Sequence, residues 1–168
     1  MRELATLTFV SVDGVMQSPS AAEEDPSDGF ALGGWAAPYW DGTMPHVMRT
    51  AMAELYDILC GRKTYDIFAG HWPNAPKSEV GDRLNNARKH VVTSSARALH
   101  WQNAHGPQQL IQTLHAAGLI DAYRLWVFPV VLGSGKKLFE PRKTPRNLHL
   151  QHCEALENGV IHQVYRAG

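Results

Sequence analysis

The stretch ILCGRKTYD, residues 58–66, sets Arg62, Lys63 and Thr64 directly after Gly61. An apolar run that ends in glycine and passes into these residues predicts a strand, a turn and the start of a helix. The first amides of a helix have no intrahelical partner, and the helix dipole favours anions there. Gly61, Arg62, Lys63 and Thr64 therefore make a candidate cradle for a phosphate or pyrophosphate. Many helices begin with glycine and basic residues without binding anything, so a plain basic first turn stands as the alternative. A second candidate is VVTSS, residues 91–95, with Arg97 close behind. A strand opening into Thr93, Ser94 and Ser95 can hold another phosphate through hydroxyls and a guanidinium. It can equally be a strand end capped by its own hydroxyls.

Asp13-Gly14 closes the first apolar run. Asp13 is either a turn-forming acid before glycine or a polar group that orients a substrate or relays a proton. Residues 17–42 are rich in Pro, Gly, Ser and acids yet carry Trp35, Tyr39 and Trp40. A flexible linker would lack those rings, so the segment reads as a folded lid or pocket wall. No metal site is expected. The nine histidines show neither HExxH nor another ligand spacing, and His152 and Cys153 in a strand face opposite sides. LGSGKK lacks the spacing of a nucleotide-binding P-loop. No nucleophile–histidine arrangement can be assigned.

The elements that must position these residues follow from periodicity and punctuation. Residues 4–12 read as a strand. Residues 43–54 read as a helix capped by Thr43, with Pro45 in its first turn and Met44, Val47, Met48, Ala51, Met52 and Leu55 on one apolar stripe. Residues 56–60 form a short buried strand and 63–71 a helix. Residues 78–87 form another helix and 89–93 a strand. Residues 107–117 form a helix closed by Gly118. Residues 122–131 form a strand. The last two strands, 147–155 and 159–166, are joined by Glu157-Asn158-Gly159, and Asn-Gly is a strong hairpin signal. Alternating strands and helices with a terminal hairpin imply an α/β fold with a mixed sheet covered on both faces.

The 168 residues suit one domain, and 44% hydrophobic with 19% charged residues is an ordinary globular composition rather than a disordered one. Sixteen Lys+Arg balance sixteen Asp+Glu, so no overall electrostatic footprint for nucleic acid exists. Arg142, Lys143 and Arg146 form the one candidate basic patch, more simply a solvated loop. Two cysteines, Cys60 and Cys153, are too few for a disulfide framework, and Cys60 in its apolar run reads as a buried reduced thiol. No apolar run approaches a membrane span, and the start of the chain lacks a leader pattern. A cytoplasmic protein is the expectation.

The order of the pieces adds what no single motif carries. TFVSVDGVMQ, GGWAAPYWD, ILCGRKTYDIF with HWP, KHVVTSS and GLIDAYRLWVFPVVLGSGKKLF follow one another over nearly the whole chain. This series resembles the dihydrofolate reductase-like family, and within it the bacterial branch related to the riboflavin-pathway reductase domain. The resemblance implies a three-layer α/β fold, a mixed, mostly parallel sheet with helices on both faces and a C-terminal antiparallel hairpin. It implies an NADPH-dependent reductase acting on a small conjugated or heterocyclic, pterin- or pyrimidine-like, substrate. By the same resemblance Gly61, Arg62, Lys63 and Thr64 hold the cofactor pyrophosphate, and Thr93, Ser94 and Ser95 the adenosine 2′-phosphate side. Asp13 lies near the nicotinamide and substrate, and Trp35, Tyr39 and Trp40 wall the substrate pocket. A homodimer is implied, with no nucleic-acid or membrane partner.

One stretch departs from the family. Relatives place a further helix, then a strand ending in a glycine turn, before the helix that precedes GLID. Here only ARALHWQNAHGPQQL intervenes. Gly106 alone can stand for the glycine turn that packs against the cofactor, with Pro107 opening the helix. The single domain 1–168 therefore reads as shortened around 96–109, with no strand in the polar WQNAH. That departure sustains a second reading, a non-catalytic ligand-binding or interaction protein that kept the fold and lost part of the cofactor site.

Overall fold

A computed structural model describes residues 3–95, 97–105, 119–139 and 145–168. The expected helix 107–117, Gly106, Arg142 and Lys143 lie outside the described residues. Two compact units emerge, Met1–Met44 with Gly118–Gly168, and Pro45–Ala117. The strands divide accordingly into a four-stranded and a three-stranded sheet. The fold is the expected α/β class, with mixed pairing and a C-terminal antiparallel hairpin.

In the first unit the strands are β1 (Ala5–Ser11), β5 (Ala122–Phe128), β6 (Leu148–Ala155) and β7 (Ile161–Ala167), in the order β1-β5-β7-β6. β1 and β5 pair in parallel, while β7 runs antiparallel to both β5 and β6. AYRLWVF is buried nearly throughout, as a central strand must be. Tyr123, Trp126 and Phe128 are among the most deeply buried side chains. A buried aromatic of this size removes about 150–250 Å² from water, several kcal/mol at ~25 cal/mol per Å².

The hairpin between β6 and β7 uses a longer loop than a bare Asn-Gly turn. Leu156 N donates to Val160 O and Gly159 N donates to Leu156 O, and Gly159 takes φ +83°. This is a turn followed by one left-handed residue, the usual three-residue hairpin connection. Asn158 steadies it, accepting from Val160 N and donating to Tyr39 O. β6 is the sheet edge, and all its residues but the first are exposed.

Residues 17–42 fold as the sequence implies, around two short 3-10 turns, Ser27–Gly29 and Ala37–Tyr39. Gln17 is the buried fastener. Its amide donates to Asp25 O and Ser27 O, its side-chain oxygen accepts from Lys136 N, and its carbonyl accepts from Trp35 Nε1.

The helix α1 (Thr43–Ala51) runs from the first unit into the second. Its N-terminal amides are capped by Asp41, whose carboxylate accepts from Thr43 N and Met44 N. The expected cap, Thr43, is instead the first helical residue, because Asp41 reaches two amides from outside the helix. Met44, Val47, Met48 and Met52 are buried, but Leu55 is fully exposed. The helix ends at Ala51, so the stripe does not reach residue 55.

The second unit orders its strands β2 (Ile58–Gly61), β3 (Lys89–Val92) and β4 (Ala104–His105), all parallel. Helices α2 (Arg62–His71) and α3 (Glu79–Asn86) complete it, α3 being capped by Ser78 Oγ accepting from Gly81 N. β4 corrects the sequence reading. WQNAH carries no strand pattern, yet its last two residues pair with Lys89 and His90, and Lys89 N donates to Asn103 O. The pairing is imposed by the neighbourhood. Trp101 is buried beside β3, its N–H donating to the Tyr65 hydroxyl and its indole to Asn85, and this delivers the following residues to the open edge of β3. No helix precedes β4 among the described residues 97–105. Cys60 is buried, its thiol pushed up to about 11 by burial, and is inert at neutral pH. No helix of the described residues is long and apolar enough to cross a membrane.

Candidate functional site

In the second unit, β2 passes into α2 without a connecting loop. Gly61 is both the last strand residue and the N-cap, extended at φ −73°, ψ 165°, and no side chain caps the helix. The first amides of α2 are thus left without a side-chain acceptor, the arrangement that favours an anion. Arg62 does not reach out alone. Its Nε donates to both oxygens of Asp66, at 2.9 and 3.0 Å, and its Nη1 donates to Arg97 O at 2.8 Å. Arg62, Tyr65, Asp66, Arg97 and His100 line an open groove of about 390 Å³ along α2. Thr64 is exposed, and Lys63 is engaged within the structure.

At the end of β3 the hydroxyls are partly committed. Thr93 Oγ1 accepts from Ser95 N and Ser95 Oγ accepts from Arg97 N, while Ser94 is exposed. The local cap and the phosphate site are compatible, since each hydroxyl that accepts keeps a proton to donate. This turn swings Arg97 to the groove where Arg62 lies. Tyr65 and Asp66 follow Arg62 at i+3 and i+4 on α2, a spacing visible in the sequence, whereas no local pattern marks His100.

In the first unit, Asp13 stands at the end of β1. Its carboxylate accepts from Ser11 Oγ at 2.7 Å, Leu132 N at 3.1 Å and Gly133 N at 2.9 Å. The Ser11 hydroxyl first, then the Leu132 and Gly133 amides, hold the acid down to about 2 against the opposing effect of burial. Asp13 is therefore ionised at neutral pH. It ties β1 to the 132–133 turn, the structural role of a turn-forming acid.

The three rings gather above Phe9 and Phe128. Trp35 and Tyr39 pack edge-on against Phe128 at 5.5 and 5.7 Å, and Trp40 against Phe9 at 5.7 Å. Trp35 is buried, Tyr39 half-buried and Trp40 47% exposed. Trp35 is thus a core residue of the folded segment, and Trp40 presents the open ring.

The RibD C-terminal domain family matches residues 104–162, from β4 to β7. A putative riboflavin biosynthesis protein from Shewanella superposes over 100% of this chain and 99% of its own, with TM-score 0.62 at 14% identity. Residues 104–162 are thus similar to the RibD C-terminal domain, and the chain has the dihydrofolate reductase-like fold. Dihydrofolate reductase from Enterococcus faecalis, solved with NADP(H), shares that fold over 99% of this chain and 96% of its own, TM-score 0.55 at 10% identity. A pyrimidine reductase-like protein from Corynebacterium diphtheriae covers 99% and 92%, TM-score 0.56 at 13% identity. In sequence, the uncharacterised Bacillus subtilis protein YyaP is 26% identical over 166 residues, 82% of this chain and 88% of its own. The RibD-related stretch begins at β4, the strand the sequence alone did not reveal.

Proposed function

We propose that this chain is an NADPH-dependent reductase of a small heterocyclic, pterin- or pyrimidine-like, substrate. The observation that carries the reading is the uncapped start of α2 opening beside the groove of Arg62 and Arg97. The amides of the Gly61–Thr64 turn would receive the pyrophosphate. Arg97, with Thr93, Ser94 and Ser95, would receive the 2′-phosphate, a site where a guanidinium and hydroxyl donors suit a dianion. The resemblance that names these residues also assigns Gly106 to the cofactor. When bound, NADPH supplies the hydride. Ionised Asp13 would orient a substrate N–H donor, and Trp40 and Tyr39 would lay a flat apolar face against its ring. A homodimer in the cytoplasm belongs to the same proposal.

Titration of the tryptophan emission with NADPH and NADH tests it. Saturable energy transfer below about 100 μM NADPH, with NADH at least tenfold weaker, is the expected result. No binding of either would favour the alternative, a ligand-binding protein with the fold but no cofactor. The two-residue β4 is the feature that favours that second reading.

A further inference from the structure

The β6–β7 hairpin gathers three metal-ligating side chains on one face. His152 and Glu154 lie two residues apart on β6 and point to the same side. Glu154 is paired directly with His162 across the ladder. One ligand atom from each of the three lies within 4.8 Å of the others, and His152 Nε2 stands 3.7 Å from Glu154 Oε2. The two exposed groups are on the sheet edge, whereas His162 is only 7% exposed.

His162 is the informative member. Its ring lies flat on Trp126, with centroids 4.5 Å apart and planes at 15°. Its Nε2 is buried and has no hydrogen-bond partner. A buried polar atom left unpaired is costly, and a stacking role alone needs no ring nitrogen. A metal ion accepts a lone pair from an imidazole nitrogen, and one ring nitrogen of His162 lies within 4.8 Å of ligand atoms of a second imidazole and a carboxylate.

We propose that His152, Glu154 and His162 bind a divalent transition metal of the zinc type. Two imidazoles and one carboxylate are a common protein donor set for zinc, with a fourth position left for water. Metal–ligand bonds of ~2.0–2.2 Å bring ligand atoms to about 3–3.5 Å from one another. His162 is fixed by Trp126, so the closure falls to His152 and Glu154, whose exposed side chains on an edge strand are free to rotate inward. The site shares no residue with the proposed cofactor groove and stands whether or not the chain is a reductase.

Calorimetric titration of the full chain with zinc chloride tests the site. One zinc per chain is expected with Kd of about 1–10 μM, weaker than four-ligand structural sites. His152→Ala and Glu154→Gln, both at exposed positions, are each expected to weaken binding at least about tenfold. His162→Phe keeps the stack on Trp126 and should abolish binding with the fold intact by circular dichroism. His46→Ala, an exposed histidine elsewhere, should leave the isotherm unchanged. No heat up to about 100 μM zinc, or binding unaltered in both His152→Ala and Glu154→Gln, would overturn the assignment.

Discussion

Lys89 Nζ lies 4.1 Å from the centre of the Trp101 ring. This buried lysine also donates to Asn85 O and Gln102 O, so one side chain ties α3, β3 and the approach to β4. Burial pulls its pKa down to about 8. Lys89→Ala removes the cation from the ring and takes its donor from Gln102 O, while Asn85 O keeps the Gln102 side-chain amide. We expect a loss of about 2–4 kcal/mol in chemical denaturation. A variant as stable as the parent would show that the pairing of β4 does not depend on this contact.

The Asp13 clamp gives a pH dependence with a definite sign. Its acid is held near 2 in the folded chain, below the ordinary 3.8. A depressed acid contributes stability that is present above the unfolded pKa and is lost as pH falls through the folded one. Asp13→Asn should therefore lower stability at pH 7 by about 1 kcal/mol, a figure reduced for solvent screening. The gap between parent and variant should close between about pH 4 and pH 2. Thermal melts of the two proteins across that range check it, and a gap that stays constant would remove the charge from the explanation.

Arg62 and Arg97 separate binding from folding. Arg62 is held by Asp66 and by Arg97 O, so Arg62→Ala should cost both NADPH affinity and some stability, on the order of 0.5–1 kcal/mol for the partly exposed pair. The Arg97 residue is exposed, with no side-chain contact invoked for the fold. Arg97→Ala should weaken NADPH about ten- to a hundredfold, as expected for a lost charge-assisted contact, and leave NADH and the melting temperature nearly unchanged. Equal losses for both dinucleotides would place the guanidinium away from the 2′-phosphate.

Much of this architecture was legible because local signals and tertiary demands agree. The β1, β3 and β5 strands, α2, α3 and the terminal hairpin fall within a few residues of where periodicity and turn residues place them. The misses occur where partners distant in sequence decide. The β4 strand forms because Trp101 and Lys89 bring a polar segment to the edge of β3, which no pattern within WQNAH encodes. The cap of α1 passes to Asp41 because its carboxylate reaches two amides at once. At the candidate site, types were readable but commitments were not. Nothing in SVDG shows that Asp13 spends its acceptors on Leu132 and Gly133, 119 and 120 residues away. The histidine cluster was within reach, since the Asn158-Gly159 turn sets His162 opposite Glu154 once the loop length is known.

Gly133 and Gly135 in LGSGKKLF look alike in sequence and differ in what surrounds them. Both take positive φ, +76° and +112°, where a side chain is strained. At Gly133 an added Cβ meets nothing within 4 Å. Replacement there by Ala should cost only the backbone strain, about 1–2 kcal/mol. At Gly135 the same Cβ would lie 2.7 Å from both Phe30 Cε2 and Val15 Cγ1. Val15 is fully buried and Phe30 nearly so, and neither ring nor branched chain is the free end of a flexible side chain. Gly135→Ala must therefore add overpacking of about 1–3 kcal/mol to the strain. It should melt well below Gly133→Ala and loosen residues 17–42, to whose buried side chains Phe30 belongs. Paired melts, with proteolysis of the 17–42 segment as the second readout, check this. Equal stabilities would mean that Phe30 and Val15 can move aside, and that the second glycine serves the turn alone.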